Sequence, residues 1–275
     1  MDKATDNSRF NVQNPDDWTL SLRLHADSLQ LTVDDGNGSL MADTIALPDG
    51  TSYAQRLESA VYANEFLLQQ FGKTIVVTDS DRFLLIPDEM AGNDAEECQR
   101  YYDFIYPDDN RNVLCNHIDE ANLALAFSLD REVESFVRRT FFNPPVLHTL
   151  TPLITYFKRN AKAGGRNQMI VVFAGKTVEI VVLKSGRLAF ANVFPADYAD
   201  NAYYYIVNAW RHCGMSDADD EMLLAGDAEM RSQLTPRLVQ SLKGASTLVY
   251  PSTLLERGSD AMKASFDLLI LPLCE

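Results

Sequence analysis

The stretch from Met169 to Phe194 constrains this chain more than any other. It reads Met169-Ile170-Val171-Val172-Phe173, turns at Ala174-Gly175-Lys176, and continues Thr177-Val178-Glu179-Ile180-Val181-Val182-Leu183. A second turn, Lys184-Ser185-Gly186, leads into Arg187-Leu188-Ala189-Phe190-Ala191-Asn192-Val193-Phe194. Three β-branched and aromatic runs joined by short glycine-bearing turns predict an antiparallel meander. The first run is almost wholly apolar, as a strand covered on both faces would be. The second alternates around Glu179, which predicts one less buried face. Such a sheet needs helices to cover it, and Asp200–Cys213 and the stretch from Asp227 through Leu242 supply them.

The same plan stands upstream. Leu20–His25 and Ser28–Val33 alternate, Asp34-Asp35-Gly36-Asn37-Gly38 signals a hairpin, and Leu40–Leu47 completes three strands. Thr51-Ser52 then cap a helix whose apolar stripe, from Leu57 to Phe71, ends at Gly72. Short strands are expected at Lys73–Thr78 and Arg82–Pro87, and Asn112–His117 is expected to pair with Ala121–Phe127. Asp130 caps a further helix. The two prolines of Phe141-Phe142-Asn143-Pro144-Pro145 exclude its continuation and mark the boundary between halves. The second half adds strands at Glu221–Gly226 and Thr247–Tyr250, and Phe266–Leu271 reads equally as a last strand or a short helix. The expected organisation is a loose polar tail over 1–17, a first unit over 18–143 and a second over 144–275.

Charge removes some functions. Lys and Arg number 24 against 39 Asp and Glu, a net charge of −15. Nucleic acids and anionic membranes demand a basic footprint, so neither is the expected partner. No apolar run reaches the ~20 residues that span a bilayer. Cys98, Cys115, Cys213 and Cys274 are scattered without a C-x-x-C pair, and read as reduced thiols of a cytoplasmic protein.

Two successive β-β-β-α-β-α units resemble the actin-like ATPase fold, with duplicated ribonuclease H-like βββαβαβα halves in an α/β architecture. The chain is similar to a bacterial family of unknown function with that fold; the cell-division actin homologue and the pilus and secretion assembly proteins are its nearer relatives in plan. The resemblance implies three phosphate-binding places. The first hairpin normally carries Asp-x-Gly, and here the turn Leu24-His25-Ala26-Asp27-Ser28 has no glycine. The second normally reads Asp-x-Gly-x-x-Thr; Gly175 and Thr177 are kept beside Lys176, but a hydrophobic residue near Phe173 replaces the metal-binding Asp. The adenosine motif is normally a strand followed by Gly-Gly and a helix; Gly226 is kept and Asp227 replaces its partner. An Asp at a helix start occupies the anion position itself. Magnesium-dependent phosphoryl transfer needs acidic metal ligands and phosphate-facing amides together. The expectation is therefore a non-catalytic, cytoplasmic protein-binding or scaffold module with no cofactor, whose partner is another protein or itself. The alternative is a weak ATP-binding protein or ATPase, using Mg-ATP at Gly175, Lys176, Thr177, Gly226 and Asp227.

Other constellations have bland readings. Gly175-Lys176-Thr177 ends like a Walker A loop, but Ile170 stands where its first glycine should be and a strand follows. His117-Ile118-Asp119-Glu120 offers metal-binding atoms but reads equally as a polar turn. His212 and Cys213 are neighbours on a helix and do not face each other. The run Asp217–Glu221 reads as a solvated loop. Tyr203-Tyr204-Tyr205 spread around a helix, so at least one belongs at an exposed or interface position.

Overall fold

The computed structural model describes residues 10, 12–92, 95–161 and 165–274. The chain forms two compact units. The first comprises Met1–His117, Leu123–His148 and Ser252–Ala264; the second comprises Ile118–Asn122, Thr149–Pro251 and Ser265–Glu275.

In the first unit β1 (Thr19–Leu24), β2 (Ser28–Asp34) and β3 (Leu40–Ala46) form the expected meander. The β2–β3 turn closes on Asp35, whose carboxylate accepts the N–H groups of Asn37 and Ser39, both at 2.8 Å. Helix α1 (Tyr53–Tyr62) starts at Ser52, which accepts the Gln55 N–H. It stops at Tyr62, well before Gly72. Asn64 explains this: its side chain donates to the Ala60 carbonyl at 2.7 Å and draws the chain off the helical ladder. A 3-10 turn over Glu65–Leu68 keeps Phe66 and Leu67 buried. Gly72 serves another purpose, because a Cβ there would lie 1.9 Å from the Asp16 carbonyl oxygen. Strand β4 (Lys73–Thr78) then pairs in parallel with β1.

Next come β5 (Phe83–Pro87), α2 (Asp88–Ala91), α3 (Ala95–Ile105), β6 (Asn112–Ile118) and β7 (Leu123–Leu129). The three strands make a small sheet in the order β5-β7-β6. Here the structure corrects the reading of the thiols: Cys98 of α3 is bonded to Cys115 of β6, while Cys213 and Cys274 remain thiols. A separation of 17 residues without a C-x-x-C signature hid the pair, which forms because α3 turns Cys98 inward. Helix α4 (Arg131–Thr140) is capped by Asp130, as the sequence indicates. The expected boundary after Asn143 falls inside this unit, since β8 (Val146–His148) pairs in parallel with β4. The prolines end α4 but set the extended backbone that a strand needs.

The sheet order is β3-β2-β1-β4-β8. Leu20, Leu22, Leu29, Leu31 and Val33 meet Leu57 and Val61 of α1 and Val133, Phe136 and Val137 of α4 in one core. Each such side chain contributes roughly 1.5–3 kcal/mol by burial. Residues 1–9 and 11 of the expected tail lie outside the described residues. Phe10 and Val12 belong to this core, Phe10 stacking on Phe66 at 4.6 Å.

The second unit repeats the order. After α5 (Leu150–Asn160) come β9 (Gln168–Ala174), β10 (Thr177–Lys184), β11 (Arg187–Pro195), α6 (Ala199–His212), β12 (Glu221–Gly226), α7 (Ala228–Ser241) and β13 (Ala245–Thr247). The sheet runs β11-β10-β9-β12-β13, with β12 parallel to β9 and to β13. The last strand is thus earlier and shorter than Thr247–Tyr250. Helix α8 (Ser252–Leu255) returns to the first unit, and Phe266–Ile270 is helix α9 of the second. A meander whose first strand then pairs with parallel strands is the duplicated ribonuclease H-like plan.

His148 ends β8 fully buried. Its ring lies 4.8 Å from that of Phe83 and 5.3 Å from that of Phe127, and Nε2 accepts the Ser80 N–H at 3.4 Å. Burial, aided by the Arg23 charge, pulls its pKa down to about 3. The unfolded chain takes up this proton below about pH 6.5 and the folded chain does not, so stability is lost as pH falls through that window, by about 1.4 kcal/mol per unit. We expect His148→Gln to be less stable near neutral pH but to lose stability more gently between about pH 6.5 and 4. Urea unfolding across that range checks this; parallel curves for variant and wild type would contradict it.

Candidate functional site

The β9–β10 hairpin and the end of β12 define the site. Gly175 and Lys176 form the turn, with Gly175 at φ +59°. Ala174 faces Thr177 across it, and Thr177 Oγ1 donates to the Ala174 carbonyl at 3.0 Å. The Lys176 carbonyl accepts the Ala196 N–H at 2.7 Å. Beside this hairpin, β12 places Gly226 opposite Phe173. Gly175, Lys176, Thr177, Gly226 and Asp227 therefore lie at one end of one sheet, within one unit.

Each of these groups has local work. Gly226 has φ +84°, and a Cβ there would lie 2.1 Å from the Phe173 carbonyl oxygen. Backbone contact alone demands glycine. Its carbonyl accepts from Arg231 Nε at 3.0 Å, and its N–H points at the Tyr250 hydroxyl at 3.3 Å. The Asp227 N–H donates to the Phe173 carbonyl at 2.8 Å. The Asp227 carboxylate accepts the Met230 N–H at 2.8 Å and so caps α7. Phe173 is packed in the core with Val178 and Ile180.

The corresponding turn of the first unit is equally self-contained. The His25 N–H donates to the Ser28 carbonyl at 2.9 Å, and the Asp27 carbonyl accepts the Leu47 N–H at 2.9 Å. The Ala26 carbonyl accepts from the Arg56 guanidinium at 3.2 Å. Neither His25, Ala26 nor Asp27 takes the left-handed backbone that a nest of phosphate-facing N–H groups requires.

One buried polar group departs from the sequence reading. Glu179 does not mark a half-open face: β10 is buried along nearly its whole length, and Glu179 is 0% exposed. Its Oε1 accepts the Thr149 hydroxyl at 2.7 Å, and that hydroxyl lies 3.4 Å from Asp267 Oδ2. Thr149 and Asp267 are also buried. A carboxylate in an otherwise apolar strand was the available signal, since burying one requires polar partners.

The remaining candidates are structural. His117 sits 3.6 Å from Asp88, while Glu120 is held by Arg159. No three metal-ligating side chains gather among the described residues. Burial pushes the Cys213 thiol up, away from nucleophilic character. Asp220 is no solvated residue: its carboxylate accepts the Ser216 N–H at 2.8 Å and the Asn167 amide at 2.9 Å. The most perturbed cluster centres on Asp109, where the Arg111 guanidinium holds the carboxyl well below its usual range. Tyr102 and Ser128 also donate to Asp109, at 2.7 and 2.9 Å, so this acid ties α3 to β7 with its oxygens occupied.

Gly226→Ala should cost more than about 2 kcal/mol, because a side chain meets both an unfavourable φ and the Phe173 backbone. Thermal unfolding checks this; an unchanged Tm would mean that β12 does not approach β9 so closely.

A protein of Bacteroides thetaiotaomicron with an actin-like ATPase fold and unknown function is similar to the chain at 19% identity. The TM-score is 0.80, over 98% of this chain and 99% of that one. The PilM–PilN type IV pilus biogenesis complex holds a chain similar at 15% identity and TM-score 0.52, over 94% of this chain and 98% of that one. At these identities the likeness establishes the fold, which is the actin-like ATPase fold. No curated protein matches the chain in sequence. The model of a family described as a protein of unknown function, DUF3822, matches residues 7–242, and the chain belongs to that family.

Proposed function

We propose that the chain is a non-catalytic actin-like protein that binds another protein, or itself, as a scaffold module, and that its nucleotide site is degenerate. The observation that carries this is the Asp227 cap. The start of α7, where the fold would receive an anion, holds a fixed carboxylate 2.8 Å from the Met230 N–H. Phosphate would have to displace that bond and approach a like charge. Thr177 Oγ1 is spent on the Ala174 carbonyl, and Phe173 offers no metal ligand. With the phosphate-facing groups so occupied, the surfaces remain as the functional asset. The similar chain in the PilM–PilN complex accords with a protein-binding use of such a scaffold. The cytoplasmic placement loses the support of four reduced thiols, because Cys98 and Cys115 are bonded. No described helix is long and apolar enough to cross a membrane.

The co-location of Gly175, Lys176, Thr177 and Gly226 at one sheet end supports a second reading, weak ATP binding. Thermal melting with and without millimolar Mg-ATP separates the two. A ligand at 100 times its dissociation constant stabilises by about 2.7 kcal/mol. We expect no shift. A rise in Tm that Lys176→Ala removes would overturn the first reading and establish the second.

A further inference from the structure

The turn between β2 and β3 is built on one acid. Asp35 Oδ1 accepts the Asn37 and Ser39 N–H groups, both at 2.8 Å, and the Asp35 N–H donates to the Ser39 carbonyl at 3.1 Å. Slight burial pushes the Asp35 carboxyl up, but the N–H groups of Ser39, Asn37 and Gly38 outweigh it and hold the carboxyl below its usual range. Asp35 is therefore charged throughout the neutral range, with the Gly38 N–H among the groups that favour the charge. Asp34 ties the turn to the rest of the unit. One of its oxygens accepts the Gly36 N–H at 2.8 Å, and the other pairs with Arg257 at 2.5 Å.

Asn37 and Gly38 stand at the tip of this turn, both exposed. Of the chain's asparagines, Asn37 alone is followed by glycine. The amide carbon of an Asn side chain can be attacked by the backbone nitrogen of the next residue, because the ring that closes has five members. A side chain on that next residue obstructs the approach, and glycine has none. The surroundings add no obstruction here: Gly38 has φ +113°, and a Cβ built on it would meet nothing within 4 Å. The Asn37 amide Nδ2 donates to the Asp35 carbonyl at 3.2 Å.

We propose that Asn37 is a site of spontaneous modification, converted to aspartate and isoaspartate through a ring closed by the Gly38 nitrogen, and that Asp35 slows the conversion. Once the Gly38 N–H has lost its proton, the nitrogen bonds to Asn37 Cγ, the Cγ–Nδ2 bond breaks, and ammonia leaves with a proton restored from solvent. Water then opens the cyclic imide. Opening at the side-chain carbonyl gives aspartate. Opening at the main-chain carbonyl gives isoaspartate, whose backbone runs through the former side chain and is longer by one atom. Asp35 restrains the first step, because a negative charge on the Gly38 nitrogen would develop beside a carboxylate. The added atom falls inside the loop that the Asp35–Ser39 bond closes, next to the Leu40 N–H bond to the Arg257 carbonyl at 2.8 Å. Conversion therefore adds negative charge to the turn and lengthens it where β3 begins.

The full chain, held for weeks in mildly alkaline buffer beside a sample in concentrated urea, tests this. Trypsin releases residues 24–56, whose only Asn is Asn37, and mass spectrometry reads the mass gain of amide-to-acid conversion. A zero-time digest corrects for conversion during handling. We expect the native chain to convert, more slowly than the unfolded one, to products of equal mass that chromatography separates. Asp35→Ser should speed native conversion roughly tenfold, about the worth of one charge-assisted hydrogen bond. Asn37→Gln should abolish it, because the ring would need a sixth member. Circular dichroism confirms that each variant is folded, and the wild-type comparison decides the modification without them. A native chain that keeps its amide while the urea sample converts would overturn the proposal. So would equal native rates for Asp35→Ser and wild type.

Discussion

A strand covered on both faces and paired on both edges cannot be rearranged without loss, and β9 is such a strand. It bonds antiparallel to β10 and parallel to β12. Met169, Ile170, Val171, Val172 and Phe173 are all buried. Slipping it by one residue would exchange the two faces but expose nothing polar, so side-chain pattern alone does not fix its register. The ends fix it instead. Gly175 turns the hairpin at one position, and Gly226 admits the Phe173 backbone at another. The two glycines thus seat the sheet that organises the second unit.

Both glycines have a backbone reason to stand where they do, whatever is bound. Phe173 is a core side chain and Asp227 a helix cap. Gly226 beside Asp227 is thus accounted for by the sheet and the helix that it joins, with no ligand in the argument.

How much of this the sequence showed depended on the range of the interaction involved. Both meanders and the caps at Ser52, Asp130 and Asp227 were legible, because alternation and capping are written within a few residues. The early end of α1 was not, since Asn64 had to be seen bonding back to Ala60. Burial of Glu179 depends on Thr149, 30 residues away, and the Cys98–Cys115 bond on how α3 meets its sheet. Around the candidate site, the turn at Gly175 and Lys176 and the strand end at Gly226 were legible as local structure. Their satisfaction by Ala174, Phe173 and Met230 was not, because it is a matter of carbonyl and amide positions.

The return of Ser252–Ala264 to the first unit bears on how the protein is made. The Asp34–Arg257 pair closes over 223 residues. During synthesis β3 emerges early, and its Leu40 amide waits until Arg257 has left the ribosome. The first unit therefore cannot finish until Thr149–Pro251 of the second has been made, contrary to the usual order in which domains fold as they appear. Closing so long a loop late makes assembly slow. Beside that late-closing amide the Asp43 side chain holds the Thr44 N–H, which blunts the border of the sheet against pairing with a neighbour.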